Sequence, residues 1–242
     1  MNIETYLQKR QKIAEEGPKY RSLCLTCRQP QFSCFCPYVK SFDPQIKFMI
    51  LIHPIEFRRR IATGRMSHLC LENSQLIIGQ NYSENDEVNA VINDPKNYCV
   101  ALYPGLIAKD LTSKTLEERK KLFPTDKKLV IFVIDGTWAT AKKMVFQSKN
   151  LYPLPRICFT PPAPSNFRVR KQPAPGCYST VEAIHHTIEL LGPTQGFELA
   201  TGDHHGLLHV FDKMVEKQLQ FIDQSLALPR ETTYRRLSRR PS

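Results

Sequence analysis

The chain has 242 residues, 41% of them hydrophobic and 24% charged, which is the composition of a globular protein and excludes a disordered or fibrous one. With 34 Lys and Arg against 23 Asp and Glu, the net charge of +11 points to a polyanionic partner. No apolar run is long enough to span a bilayer, and the polar start MNIETYLQKRQK carries no secretory signal, so the expected location is cytoplasmic, without a membrane partner.

Residues 2–16 read as a short polar helix ending at Gly17-Pro18. Cys24, Cys27, Cys34 and Cys36 follow, half of the eight cysteines within thirteen residues. Outside an oxidising compartment such clustering argues against disulfides. Four thiolates suit a tetrahedral structural Zn²⁺; an Fe–S cluster uses the same donors, and free thiols are the remaining reading. A closed four-cysteine site leaves no open position for catalysis, so its expected role is to fold a small N-terminal unit.

Residues 46–52 (IKFMILI) read as the first core strand, ended by Pro54, which would leave His53, Glu56 and the arginines in a loop at the strand's carboxyl end. Arginine there suits phosphate, a role kept for Arg58, whereas Arg59 and Arg60 read as a solvated turn. A helix is expected over 64–71, strands over 75–78 and 98–103, a turn at 93–96, and a helix with a basic face over 111–122.

Residues 129–134 form an unbroken Val- and Ile-rich run, too short for a typical helix, and read as a strand buried on both faces of a parallel sheet. It stops at Asp135-Gly136-Thr137-Trp138, after which Ala139, Ala141 and Lys142 favour helix with Thr137 as N-cap. A carboxylate at the carboxyl end of a central strand stands where open α/β sheets hold ligands. An ordinary Asp-Gly turn and a core Trp are the plainer alternative.

A short strand is expected over 156–159, then a proline-rich loop over 160–179 in which Phe167, Arg168, Arg170 and Lys171 suit phosphate and base contacts. Ser179 and Glu182 have capping-box spacing, with helix continuing over 183–191. Residues 207–228 read as an amphipathic helix through Leu207, Phe211, Met214 and Phe221. His205 and His209 lie four apart, but without a neighbouring Glu base, so His204, His205 and His209 read as surface or cap histidines. Five arginines and one glutamate over 230–242 read as a disordered tail. The expected organisation is a helix over 1–19, a zinc-binding unit over 20–45, a catalytic domain over 46–228 and an arginine-rich tail over 229–242.

Taken together, Cys24-x₂-Cys27-x₆-Cys34-x-Cys36, His53-Pro54-x-Glu56, Pro104-Gly105, Asp135-Gly136-Thr137-Trp138, Arg170-x₂-Pro173 and Ser179-Thr180-x-Glu182-Ala183 occur in the order seen in DTW-domain proteins. The sequence resembles that family of tRNA-uridine aminocarboxypropyltransferases over roughly 20–225. The resemblance implies a SPOUT-like α/β fold: a mostly parallel sheet flanked by helices, a C-terminal trefoil knot and the small N-terminal zinc unit. It also implies transfer of the 3-amino-3-carboxypropyl group from S-adenosylmethionine to N3 of a tRNA uridine, releasing 5′-methylthioadenosine. In this reading Asp135 takes or shares the N3 proton, Trp138 forms a flat wall and Thr137 caps the helix or touches the donor. Glu182 would face the donor's ammonium, Thr180 and Leu154 would line its adenosine side, and Arg58, Arg168 and Arg170 would hold tRNA. A SPOUT-like RNA methyltransferase and a non-catalytic zinc-containing RNA-binding protein are the alternatives. A monomer is expected, with a homodimer as the other possibility.

Overall fold

The computed structural model describes residues 3–5, 7–8, 22–59, 61–170 and 176–227. Most of the expected N-terminal helix, Arg60, residues 171–175 with Lys171 and Pro173, and the arginine-rich tail lie outside them.

Among the described residues six strands form one sheet: β1 Lys47–Ile52, β2 Ser74–Ile78, β3 Asn97–Leu102, β4 Lys109–Asp110, β5 Lys128–Asp135 and β6 Arg156–Cys158. Their order is β2-β1-β5-β3-β6-β4 and every pairing is parallel. The central strand β5 lies between β1 and β3, with Ile52 beside Asp135 and Leu102 beside Val133. The chain leaves β1 toward β2 and returns across it to β3, so the carboxyl end of β5 lies at the crevice where the winding direction reverses.

Alternation along the strands divides the interior in two. Phe48, Ile50, Val100, Ile131, Val133 and Ile157 face one core, completed by helices α2 (Thr63–Cys70), α6 (Thr180–Leu191) and α7 (His205–Ala227). Met49, Leu51, Cys99, Val130 and Phe132 face the other, against Val88 of α3 (Asp86–Asn93) and Met144 of α5 (Trp138–Gln147). Each fully buried aliphatic or aromatic side chain contributes about 1.5–3 kcal/mol. That explains why β5, buried on both faces, reads as a continuous apolar run. Cys27, Phe35 and Phe42 of the N-terminal unit belong to the first of these cores, so that unit shares its interior with the sheet.

Two expectations are corrected. Residues after β1 form no loop: Pro54–Arg58 is a short helix, α1, because His53 Nδ1 accepts the Ile55 N–H and Pro54 takes the first turn, where no N–H is needed. The helix expected over 111–122 shrinks to α4, Leu116–Lys120. Leu111 is instead drawn into the core, its N–H bonded to Cys158 O, and Thr115 with Glu118 forms a capping box that starts the helix late. Helix α3 was not expected although Asn85 stands as its N-cap and Val88, Val91 and Ile92 follow at helical spacing; the two-residue strand β4 carries no such signal. Among the described residues no helix is long and apolar enough to cross a membrane.

Candidate active site at the carboxyl end of the central strand

Asp135 is the last residue of β5 and only 6% exposed. The Thr180 hydroxyl, at the first turn of α6, donates to its Oδ1 at 2.6 Å, and the Gly64 N–H of α2 donates to Oδ2 at 3.2 Å. Three separate elements therefore fix one carboxylate. Burial pushes its pKa up to about 6; the Thr180 hydrogen bond opposes this, the neighbouring Glu56 carboxylate adds to it, and Arg170 opposes it more weakly. A carboxylate so tuned is ionised at neutral pH yet a better proton acceptor than an ordinary aspartate. If the ionised form is the active one, the rate should rise with pH through about 6 and fall about tenfold per unit well below it. Glu56→Gln removes a charge that raises Asp135, so the acidic limb of a pH–rate profile should move to lower pH.

Gly64 was not singled out by sequence. A Cβ built on it would lie 2.3 Å from Asp135 Oδ2 and 3.1 Å from Ile50 Cγ2, so only glycine lets α2 approach the acid. Gly64→Ala is expected to cost about 1–3 kcal/mol in urea unfolding, as overpacking does, and to reduce activity by displacing the carboxylate. A glycine at the start of an otherwise regular helix was the available signal.

Two cavities meet at this point. One, about 420 Å³, has the more polar set of side chains, among them Thr63, Asp135, Thr137, Arg170 and Thr180, with Trp138 and Phe167 beside them. The other, about 320 Å³, is more apolar and lies over the carboxyl ends of β3, β5 and β6, with Tyr103, Ile134, Ile157, Phe159 and Tyr178 among its walls. Gly136, Trp138, Tyr178 and Thr180 line both. Trp138 is half exposed, so the chain's single tryptophan is a wall between cavities and not a core residue. Thr137 caps α5, its Oγ1 accepting the Thr140 N–H at 3.2 Å.

The other expected site residues separate. Leu154 is buried in the second core beside Leu151 and Met144 and is not among the residues lining either cavity. The Glu182 carboxylate accepts from the Ser179 N–H and hydroxyl, the Ser165 hydroxyl and the Asn166 N–H, at 2.6–2.8 Å. With four donors on two oxygens it ties the proline-rich loop to the start of α6. Arg170 reaches the more polar cavity and lies 3.5 Å from Glu56 Oε2, whose other oxygen is 3.1 Å from Arg59. Arg59 is thus paired with a buried acid, not simply solvated, while Arg58 and Arg168 are exposed. Tyr178 and Thr63, which sequence reasoning missed, carry no signal beyond their residue type.

The cysteines converge as expected. Cys24 Sγ lies 3.7 Å from Cys36 Sγ and Cys27 Sγ 3.6 Å from Cys34 Sγ, with all four sulfurs within 4.8 Å of one another. Tetrahedral zinc with bonds of about 2.3 Å sets its sulfurs about 3.8 Å apart, so the donor set fits Zn²⁺ and is far too wide for disulfides. The unit braces the active-site frame. Arg65, next to Gly64, donates to Cys27 O at 3.1 Å and also to Phe57 O, Lys217 of α7 donates to Cys34 O at 2.9 Å, and Phe32 stacks on Phe221.

A DTW domain model matches residues 21–219. Over 181 residues the chain is 30% identical to tRNA-uridine aminocarboxypropyltransferase 2 of Mus musculus, covering 73% of this chain and 58% of the mouse protein. The protein of the same name in Macaca fascicularis is 28% identical over 185 residues (74% and 60%), and that of Drosophila melanogaster 27% over 186 (74% and 70%). The chain thus spans about three-fifths of the length of its two mammalian relatives. No solved structure matches it significantly. A matched region covering most of the chain, with the cysteine cluster and the Asp135 site both inside it, places this protein in the DTW-domain family.

Proposed function

We propose that this protein transfers the 3-amino-3-carboxypropyl group of S-adenosylmethionine to N3 of a tRNA uridine and releases 5′-methylthioadenosine. The observation that carries the reading is the buried Asp135 carboxylate at the meeting of a more polar and a more apolar cavity in a DTW-domain chain. The relatives named for this activity support the choice of reaction.

The donor supplies an electrophilic γ-carbon beside a sulfonium. The more apolar cavity, with Tyr103, Phe159 and Tyr178, suits the adenosine portion, and the more polar one suits the uracil. Asp135 accepts the N3–H; as the N3–C bond forms, the proton passes to Asp135 and the C–S electron pair stays on sulfur. Opposite charges are consumed in that step, and a pocket with little water favours it. Choice of the γ-carbon over the methyl is a matter of position: the carbon presented in line with N3 is the one transferred. Glu182 serves by holding the loop that bears Phe167 and Arg170 against the cavity.

The tRNA surface takes in Arg58, Arg168 and Arg170 and a groove of about 730 Å³ that shares Tyr103 with the more apolar cavity and is lined also by Lys142, Lys143, Phe146, Tyr152 and Arg156. Exposed aromatic faces among cations suit unpaired nucleotides. Phe146→Ala is expected to weaken tRNA binding by about 1–3 kcal/mol, and Lys142→Glu with Lys143→Glu to weaken it further and flatten its salt dependence, without changing S-adenosylmethionine affinity. Titrations of each ligand alone check this.

Nucleoside mass spectrometry of tRNA from cells with and without the gene tests the reading. Loss of aminocarboxypropyluridine on deletion supports it, and persistence of that nucleoside at the same level contradicts it. Loss of a methylated nucleoside instead assigns the chain to methyl transfer.

A further inference from the structure

A second group of metal-binding side chains lies away from the cysteines, where the carboxyl half of α6 meets the start of α7. His185 and Glu189 are one turn apart on α6; His204 precedes α7 and His205 is its first residue. One ligand atom from each of the four lies within 4.8 Å of all the others. His185 Nε2 is 3.1 Å from His205 Nδ1, and His185 Nδ1 is 3.8 Å from Glu189 Oε2. The rings of His204 and His205 are 4.0 Å apart, and His185 stacks on His204 at 5.1 Å.

Two imidazoles, His185 and His204, occupy interior space beside the exposed His205, and His185 Nε2 is within hydrogen-bond distance of His205 Nδ1. His185 is 6% and His204 2% exposed, and His204 Nδ1 is buried without a hydrogen-bond partner. An orphaned ring nitrogen at that depth destabilises the fold unless something binds it. His186 Nδ1 lies 3.0 Å from Glu189 Oε2, the same oxygen that faces His185, and so holds that carboxylate at the cluster.

We infer that His185, Glu189, His204 and His205 form a second divalent-cation site, of a chemistry suited to Zn²⁺. Three imidazole nitrogens and one carboxylate oxygen are a borderline donor set that favours zinc over magnesium or calcium. Bonds of about 2.0–2.1 Å in a tetrahedral site set ligand nitrogens about 3.4 Å apart, close to the spacing of His185 and His205. With four protein ligands the site is closed, so its work is to pin α7 to α6, the helix whose first turn presents Thr180 to Asp135. Pairing His205 with His209, the combination that sequence spacing offers, points to the wrong partner, because His209 is exposed and His185 arrives from a different helix. Of the two readings of His204, surface or cap, the first is corrected, since it is buried; it stands directly before α7, its carbonyl accepting the Leu207 N–H. This inference does not depend on the proposed reaction.

Elemental analysis of the purified full chain tests it. Two zinc ions per chain are expected in the wild type, and one in His205→Gln and in Glu189→Gln, whose side chains are exposed or half-exposed so that folding survives the change. A wild-type content of one that added Zn²⁺ cannot raise, or a content of two that neither variant lowers, overturns the site. Cobalt loading gives an independent readout. Beyond the first, thiolate-bound equivalent, a second should add tetrahedral d–d absorption without sulfur charge transfer, and no change after the first equivalent refutes the proposal.

Discussion

Asp135→Asn is expected to abolish group transfer and at the same time to raise the melting temperature. The stabilisation follows from the raised pKa. An aspartate whose value goes from the ordinary 3.8 to about 6 on folding binds its proton more tightly in the native state. Below pH about 4 both states are protonated and the site costs nothing. As pH rises past about 6 the folded protein must hold a buried negative charge, at a cost of about 3 kcal/mol, which the amide removes. Asn fits without a new unsatisfied group: its oxygen can face the Gly64 N–H while its NH₂ donates to the Thr180 hydroxyl. For a chain of this size that energy corresponds to roughly 5–10 °C. Thermal scans of both proteins at pH 4.5 and pH 8 check the sign: the difference at the lower pH should be about a third of that at the higher. An equal difference at both would mean that charge burial is not its cause. A residue that lowers stability while completing a cavity is what an active site leaves behind.

Stripping metal from the four cysteines is the second large effect. Structural zinc supplies about 10–16 kcal/mol of apparent binding free energy in small zinc units, as much as the net stability of an ordinary domain. Here the loss would not stay local, because Cys27 is fully buried in the core shared with β1 and α7. Arg65 would lose its anchor at Cys27 O, and with it the position of neighbouring Gly64 against Asp135. Chelation at neutral pH, or Cys27→Ser, is therefore expected to lower the melting temperature by more than 10 °C and to remove activity together with metal. Metal analysis alongside circular dichroism checks this. A chain that keeps its fold and activity after losing the thiolate-bound ion would show that the N-terminal unit acts alone.

The parts of the site legible in the sequence were those carried by local chemistry. The 129–134 run and the abrupt Asp135-Gly136-Thr137-Trp138 stop mark a two-face-buried strand ending at a ligand position, and β5 is that strand. Four cysteines in thirteen residues have few ways to be arranged other than around one centre. What was missed depends on contacts between distant segments. Gly64 matters because of an acid 71 positions later. His204 matters because of His185 on another helix. Glu182 has capping-box spacing, and its additional bonds to Ser165 and Asn166 turn a helix cap into a loop anchor. Leu154 follows the same rule, since nothing local distinguishes a side chain lining a cavity from one filling the core behind it.

The central claim is that Asp135 aligns a uridine N3 with the γ-carbon of the donor, and one measurement addresses it most directly. Purified protein is incubated with unmodified tRNA and S-adenosylmethionine labelled separately in the methyl and the aminocarboxypropyl carbons. Aminocarboxypropyl label should enter uridine in equal amount to the 5′-methylthioadenosine released, and Asp135→Asn should show neither while still binding both ligands. Methyl label in the tRNA with S-adenosylhomocysteine as product, or full transfer by the Asn variant, would contradict it.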